Sequence, residues 1–303
     1  MINAILFYYR IECTHFVQKK NQYHFQSNMQ NYCLIPTFFS ESYIQSINNV
    51  IQELKKRRCR CHEIIPNIKN EFITVIHETP YLLLKLSTTS KDLISLPLIS
   101  SYSIQSRFLY PIEELSRNHW YEMWCEKIDY FEYQWSQFGK KYPLIFESFP
   151  YYVGLAENAI SLLNQVTFNK YPITLSRRRI HYYDTITDYY NPLNFIFDTR
   201  VREVAEYFKS KFYTNPFVID EIILYLSYTT LTKEEWILFF IRMLFPTYYF
   251  DLFEEILLDG KEEHSIQFII NKNKEYEILL KKLYLFIKSK VSIPTISWLS
   301  PKD

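Results

Sequence analysis

The sequence predicts an α+β protein in two parts, a strand-rich first third built around one helix and a longer, mostly helical remainder. Three observations carry this. Short apolar, β-prone runs occur at Ala4–Ile11, Tyr32–Phe39, Phe72–His77 and Tyr81–Leu86. Between them Ile44, Ile47, Ile51 and Leu54 recur every three or four residues, the mark of an amphipathic helix over about Ser42–Lys56. From Pro111 onward the apolar spacing is helical almost throughout.

Taken in order, Ile2–Tyr9 followed by Arg10 reads as a strand rather than a signal peptide, since no basic leader precedes the apolar run. Ser87–Ser106 is polar and rich in Ser and Thr, which suits a hinge. The expected partition is therefore a small β-rich part at 1–87, a linker at 88–110 and a helical part at 111–303. In the last of these, Trp120, Trp124, Ile128, Phe131 and Trp135 form a helical stripe expected in the core. A second long helix covers 147–165, and Arg179–Asp198 reads as strand–turn–strand, with a helix from Val201 through Phe208. Thr232-Lys-Glu-Glu235 has the spacing of a capping box ahead of an apolar helix. A final helix is expected over about Glu262–Lys288, and no internal repeat is visible.

Composition excludes several function classes. Average usage would place about 20 glycines in this length; the chain has 3, at Gly139, Gly154 and Gly260. Glycines so far apart write no dinucleotide fingerprint, no Walker loop, no nucleophile elbow and no kinase-type glycine-rich loop. The net charge of +1 creates no global field for nucleic acid or an anionic membrane. The basic run Lys55–Arg60 ends a predicted helix, where cations complement the macrodipole; Arg177–Arg179 is open to a role as a partner contact. Five cysteines, an odd number, point to a reducing compartment without a disulfide framework. Cys59-Arg-Cys61-His62 lacks the second pair that a structural zinc site needs. His62-Glu63-Ile64-Ile65-Pro66 ends in proline where a zincin helix has histidine. The greasiest segment, Trp236–Phe250, is broken by Arg242 and Pro246 and is too short to span a bilayer. The expectation is a soluble protein made in the cytoplasm.

The stretch Glu147–Asn158, ESFPYYVGLAEN, with Leu155, Ala159, Leu162 and Leu163 on one face, is too idiosyncratic for a generic helix start. Gly154 there lowers helix stability by about 0.5–1 kcal/mol relative to alanine, so a packing reason is expected. This segment resembles the YutH family of bacterial spore-coat proteins, relatives of the CotS group. Thr199-Arg200-Val-Arg202-Glu203-Val204-Ala205-Glu206-Tyr207 resembles the RDxAE helix of the same family, with Glu203 in place of Asp. The resemblance implies a two-lobed, protein-kinase-like fold of the aminoglycoside phosphotransferase type, and the order strands–helix–strands fits its N-lobe.

The resemblance also says where an active site would be: an HGD-type loop after a strand, an Asn five residues beyond the Asp, and a later strand delivering a second metal-binding Asp. Ile180-His181-Tyr182-Tyr183 takes the loop position. His181 matches the family His, whereas Tyr183 stands where the catalytic Asp belongs, and a phenol with a pKa of about 10 is no carboxylate base at neutral pH. On this count Asp188 falls at the Asn position, and Phe195-Ile196-Phe197-Asp198 resembles the strand ending in the metal Asp. Asp188 and Asp198 are thus the candidates for a remnant Mg²⁺ site, with Asp184 a third if the register slips by one; Asp198 equally suits a helix cap. The strand expected to anchor ATP, Tyr32-Cys33-Leu34-Ile35-Pro36-Thr37, has no Lys. Losing one such positioned group commonly costs a factor of about a hundred, and here glycine loop, Lys and base are all missing.

By this resemblance the chain is a spore-coat pseudokinase without cofactor, acting through contacts with other coat proteins. The alternative is a divergent Mg-ATP-dependent phosphotransferase acting on a small molecule or coat protein. A nucleic-acid binder, which would need Arg177–Arg179 and Lys55–Arg60 on one face, ranks third.

Overall fold

The computed structural model describes residues 1–166, 172–215 and 217–300, and its first element corrects the sequence reading: Ile2–Tyr9 is a helix, α1, and not a strand. The run is apolar at nearly every residue, so no period stands out. Burial of Ile5 and Tyr9, four residues apart, settles it as helix. Arg10, in the left-handed region at φ 57°, closes it with its N–H on the Leu6 carbonyl at 3.1 Å.

There follow β1 (Thr14–Lys19), β2 (Gln22–Ser27), β3 (Gln30–Pro36), α2 (Glu41–Lys56), β4 (Glu63–Ile65), β5 (Ile73–Ile76) and β6 (Thr79–Lys85). All six strands join one antiparallel sheet in the order β1-β2-β3-β6-β4, with β5 also on β6. Strand β6 buries every residue from Tyr81 to Leu84. Tyr81 and Leu83 join Ile5, Tyr9, Phe25, Leu34 and Ile76 in one apolar cluster; Leu82 and Leu84 alternate to the other face. Beside β4, α2 buries Ile44, Ile47, Val50, Ile51 and Leu54, the stripe its spacing announces. Lys55 and Lys56 lie in its last turn and pair with Glu63 at 2.7 Å and Glu53 at 2.6 Å. The Ser-rich segment 88–110, expected as a linker, contains helix α3 (Leu96–Ser106), started by Ser95, whose hydroxyl accepts from the Leu98 N–H.

The remaining elements are α4 (Trp120–Phe138), α5 (Pro143–Gln165), β7 (Ile173–Arg177), α6 (Ile186–Tyr189), β8 (Phe195–Thr199), α7 (Val201–Phe212), α8 (Ile219–Tyr228), α9 (Lys233–Leu244), α10 (Thr247–Leu258), α11 (Gln267–Ile270) and α12 (Asn273–Lys288). The strand expected to start at Arg179 lies earlier, at β7, and the long last helix is broken into a 3-10 turn, α11 and α12. The backbone groups into two units, one of 1–116 with 173–198 and one of 117–172 with 199–303. This differs from the linear partition, because the β7–β8 pair returns to the first unit, where β7 packs on α3.

Within the second unit α9 is central. Every residue from Glu235 to Leu244 is buried, as expected of a helix apolar all round, with α5, α7 and α12 against it. The capping box at Thr232 and Glu235 forms as its spacing predicts. The aromatic stripe of α4 is core from Trp120 to Phe131, with Trp135 half-buried: Trp124 stacks on Phe245 at 4.0 Å and Phe131 on Phe250 at 5.0 Å. The helical stretch Lys233–Leu258 is long and apolar enough to cross a membrane by composition, but 83% of its apolar window is buried inside the protein. Where Pro246 breaks it, Lys209 reaches the freed Phe245 carbonyl at 3.0 Å and the Thr247 hydroxyl at 2.8 Å. Burial alone would raise the Glu206 carboxyl, but Lys209, Arg242 and Arg202 more than offset it and hold it at about 2. Gly154 sits in the middle of α5, and among the described residues no atom beyond its chain neighbours and its own helix backbone lies within 4 Å of where a Cβ would project. The expected packing reason for the glycine is therefore absent.

Candidate functional site

The loop from β7 to β8, all within the first unit, is shaped by its own polar residues. Asn194 binds it across the neck, accepting from the Arg179 N–H at 3.0 Å and donating to the Arg179 carbonyl at 2.6 Å. Thr185 starts α6 with a capping box: its hydroxyl accepts from the Asp188 N–H at 3.1 Å, and the Asp188 carboxylate accepts from the Thr185 N–H at 3.2 Å and hydroxyl at 2.7 Å. Asn191 then caps the turn at Pro192 by accepting from the Leu193 N–H. Residues 92–94 dock alongside, with Ile186 donating to Asp92 and Ile94 donating to Asp184.

A pocket of about 230 Å³ opens here, lined by Arg177, Arg179, Ile180, His181, Asp184, Asp188, Tyr189, Asn191 and Asn194. Arg177, only 1% exposed, anchors its floor. Its guanidinium lies 3.5 Å from the Tyr189 ring centroid and 4.0 Å from that of Tyr102, and its Nε donates to the Tyr189 carbonyl at 2.9 Å. Burial pushes the Tyr102 hydroxyl well above the usual phenol range, with Arg177 opposing it. The planar cation sandwiched by rings is a rigid structural element.

His181 lies in the loop and not on a strand. Its N–H donates to Asp184 at 2.7 Å, its ring Nδ1 is 3.4 Å from the other Asp184 oxygen, and its ring stacks on Tyr183 at 4.9 Å. Both oxygens of Asp184 thus face His181. Tyr183 is 53% exposed. Partial burial raises its phenol, and the carboxylate of Asp184 and the ring of Tyr182 add to the rise, which takes it further from any base role at neutral pH.

The two metal candidates are placed differently. Asp188 lines the pocket with one oxygen committed to Thr185. Asp198 is fully buried on β8 and is not among the residues lining that pocket. The N-cap of α7 is Arg200, without a side-chain cap, so the cap position falls two residues beyond Asp198. Among the described residues no group of three or more His, Cys, Asp or Glu side chains is arranged to hold a metal ion.

Sequence reasoning missed three participants: the sandwiched Arg177, the neck-binding Asn194 and His62. The His62 ring donates from Nε2 to the Thr187 carbonyl at 2.9 Å and accepts at Nδ1 from the Ser87 N–H at 3.1 Å, clipping the end of β6 to α6. Only the capping box had a legible signal, since Thr185-Ile-Thr-Asp188 repeats the spacing of Thr232–Glu235.

The sequence matches the family described as "Spore coat putative kinase YutH" over residues 2–283. The chain belongs to the YutH spore-coat family. It is 26% identical over 310 aligned positions to the endospore coat-associated protein YutH of Bacillus subtilis (strain 168), covering 91% of each chain. The fold is that of aminoglycoside-phosphotransferase-type kinases. An aminoglycoside phosphotransferase from Alicyclobacillus acidocaldarius superposes with a TM-score of 0.68 at 9% identity, over 95% of this chain and 97% of that one. Spectinomycin phosphotransferase APH(9)-Ia, solved with ADP and spectinomycin, gives 0.59 at 11%, over 94% and 97%. Amicoumacin kinase hAmiN, solved with AMP-PNP, Ca²⁺ and Ami, gives 0.55 at 12%, over 98% and 94%. At these identities the likeness is one of fold. Coat association and the kinase-like fold stand together for this YutH-family chain.

Proposed function

We propose that this protein serves the spore coat as a kinase-fold scaffold that acts through protein contacts and transfers no phosphoryl group. The observation that carries the proposal is the loop at 181–184. Tyr183 occupies the place of the base, and the nearest carboxylate, Asp184, is turned onto His181. The β3 strand supplies no Lys for phosphates, and no glycine loop precedes it. The chain would be made in the cytoplasm and deposited in the coat, with other coat proteins as partners.

A second reading, a divergent phosphotransferase using Mg-ATP, draws on one observation: Asp184 and Asp188 line a pocket that also holds Arg177 and Arg179. The two readings part on nucleotide binding. Calorimetric titration of the purified protein with ATP, with and without Mg²⁺, yields no heat under the scaffold reading. Mg²⁺-dependent heat that disappears in Asp198→Asn would replace it with the enzyme.

A further inference from the structure

Helices α4 and α12 each turn a regular stripe outward, and the two stripes are opposite in charge. On α4, Glu122, Glu126, Asp129 and Tyr133 follow one another at steps of four, three and four, all exposed. On α12, Lys274, Ile278, Lys281 and Leu285 repeat the same steps, again all exposed, and Lys288 continues the line. Residues so spaced share one helix face. None of the three carboxylates, and neither Lys274 nor Lys281, forms an ion pair or side-chain hydrogen bond among the described residues. Carboxylates three and four apart with no cation between them repel one another. The apolar members are equally unspent: Tyr133 is 62% exposed, Ile278 56% and Leu285 39%.

We propose that the α4 stripe of one molecule docks on the α12 stripe of a second copy of this chain, in a head-to-tail contact. The shared step pattern gives the register. Laid parallel, Glu122 meets Lys274, Asp129 meets Lys281 and Tyr133 covers Leu285, while Glu126 falls beside Ile278 between the two charge pairs. Opposite charges align while the aromatic ring buries aliphatic surface. The stripes lie on separate helices with separate supports, α4 packing on α5 and α12 on α8 and α9. Each molecule therefore keeps a free acceptor and a free donor face after one contact, and a heterologous contact of this kind propagates. One helix pair buries less than the about 1,600 Å² of a standard interface, so the contact is weak singly and gathers strength when repeated in an array. The inference deepens the scaffold reading by naming a partner, and rests on it only for its place in the coat.

The test is sedimentation of the full chain at about 10 mM and about 1 M salt, where the Debye length shrinks from about 30 Å to about 3 Å. Oligomers at low salt that dissolve into monomer at high salt are expected. The double variants Glu122→Lys/Asp129→Lys and Lys274→Glu/Lys281→Glu should each be monomeric alone, with unchanged circular dichroism and melting temperature. Mixed together, they should associate again, because the reversed α4 of the first faces the reversed α12 of the second and the unchanged α4 of the second faces the unchanged α12 of the first. A wild-type monomer at low salt, self-association of either variant, or a mixture that stays monomeric would overturn the proposal. No stripe residue is among those lining the pocket at Asp184 and Asp188, so the sedimentation outcome is read independently of nucleotide titration, and either proposal can fail alone.

Discussion

Asp188 is the side chain on which the cap and metal accounts make different predictions. As a metal ligand it would hold Mg²⁺; in the structure its carboxylate closes the capping box of α6 with Thr185. Replacing Asp188 with Ala should then cost about 1 kcal/mol in urea unfolding, the usual worth of a capping partner. No accompanying change in Mg²⁺ response is expected. His62 makes a second prediction. Its Nδ1 accepts from a backbone N–H, so a proton there would set donor against donor, and burial lowers its pKa from 6.5 to about 4. Between those values the unfolded chain binds a proton that the folded chain refuses, so stability declines as pH falls, by up to about 3 kcal/mol. His62→Gln should flatten that slope when unfolding free energy is measured from pH 7 to pH 4.

Elements explain why part of the fold was legible in the sequence and part was not. The helices α2, α4, α5 and α9 were legible because each buries one stripe or its whole circumference, and apolar spacing reports burial directly. Helix α1 was not, since a run apolar at every position suits strand and helix alike. Strands β1 and β2 hid for the opposite reason: their residues are mostly polar and β1 is an exposed edge. Helix α3 hid behind serine content, although Ile99, Tyr102, Ser103 and Ser106 are spaced as a buried face. At the site, positions 181, 188 and 198 could be located from the family pattern, but that pattern does not contain the local pairings of His181 with Asp184 and of Asp188 with Thr185. Glycine scarcity leaves its own trace at this scale. The two-residue turn between β2 and β3 uses Asn28 and Met29, both at positive φ (47° and 62°), where Asn-Gly is the favoured pair. Met29 is 99% exposed, so Met29→Gly should stabilise by about 1 kcal/mol with no burial lost. The mirror case is Gly154→Ala in the middle of α5, expected to stabilise by about 0.5–1 kcal/mol because the added methyl meets nothing. Thermal unfolding of the two variants checks both.

At the scale of the molecule, a kinase-like fold carries a YutH-family spore-coat sequence, and the scaffold proposal holds that the chemistry this fold usually houses is gone. The six-stranded sheet forms with no Lys in β3, and the β7–β8 loop, with Tyr at position 183, is well bonded. The polar groups of that loop are used to hold the loop itself: Asp184 on His181, Asp188 on Thr185, Asn194 on Arg179. Such internal satisfaction is what the proposed scaffold role expects of this loop. The most direct test is calorimetric titration with ATP, with and without Mg²⁺, read together with the melting temperature of wild type and Asp198→Asn. The account predicts no binding heat and no nucleotide-dependent shift in melting temperature in either protein. Mg²⁺-dependent binding to the wild type, lost in Asp198→Asn while that variant remains folded, would contradict it.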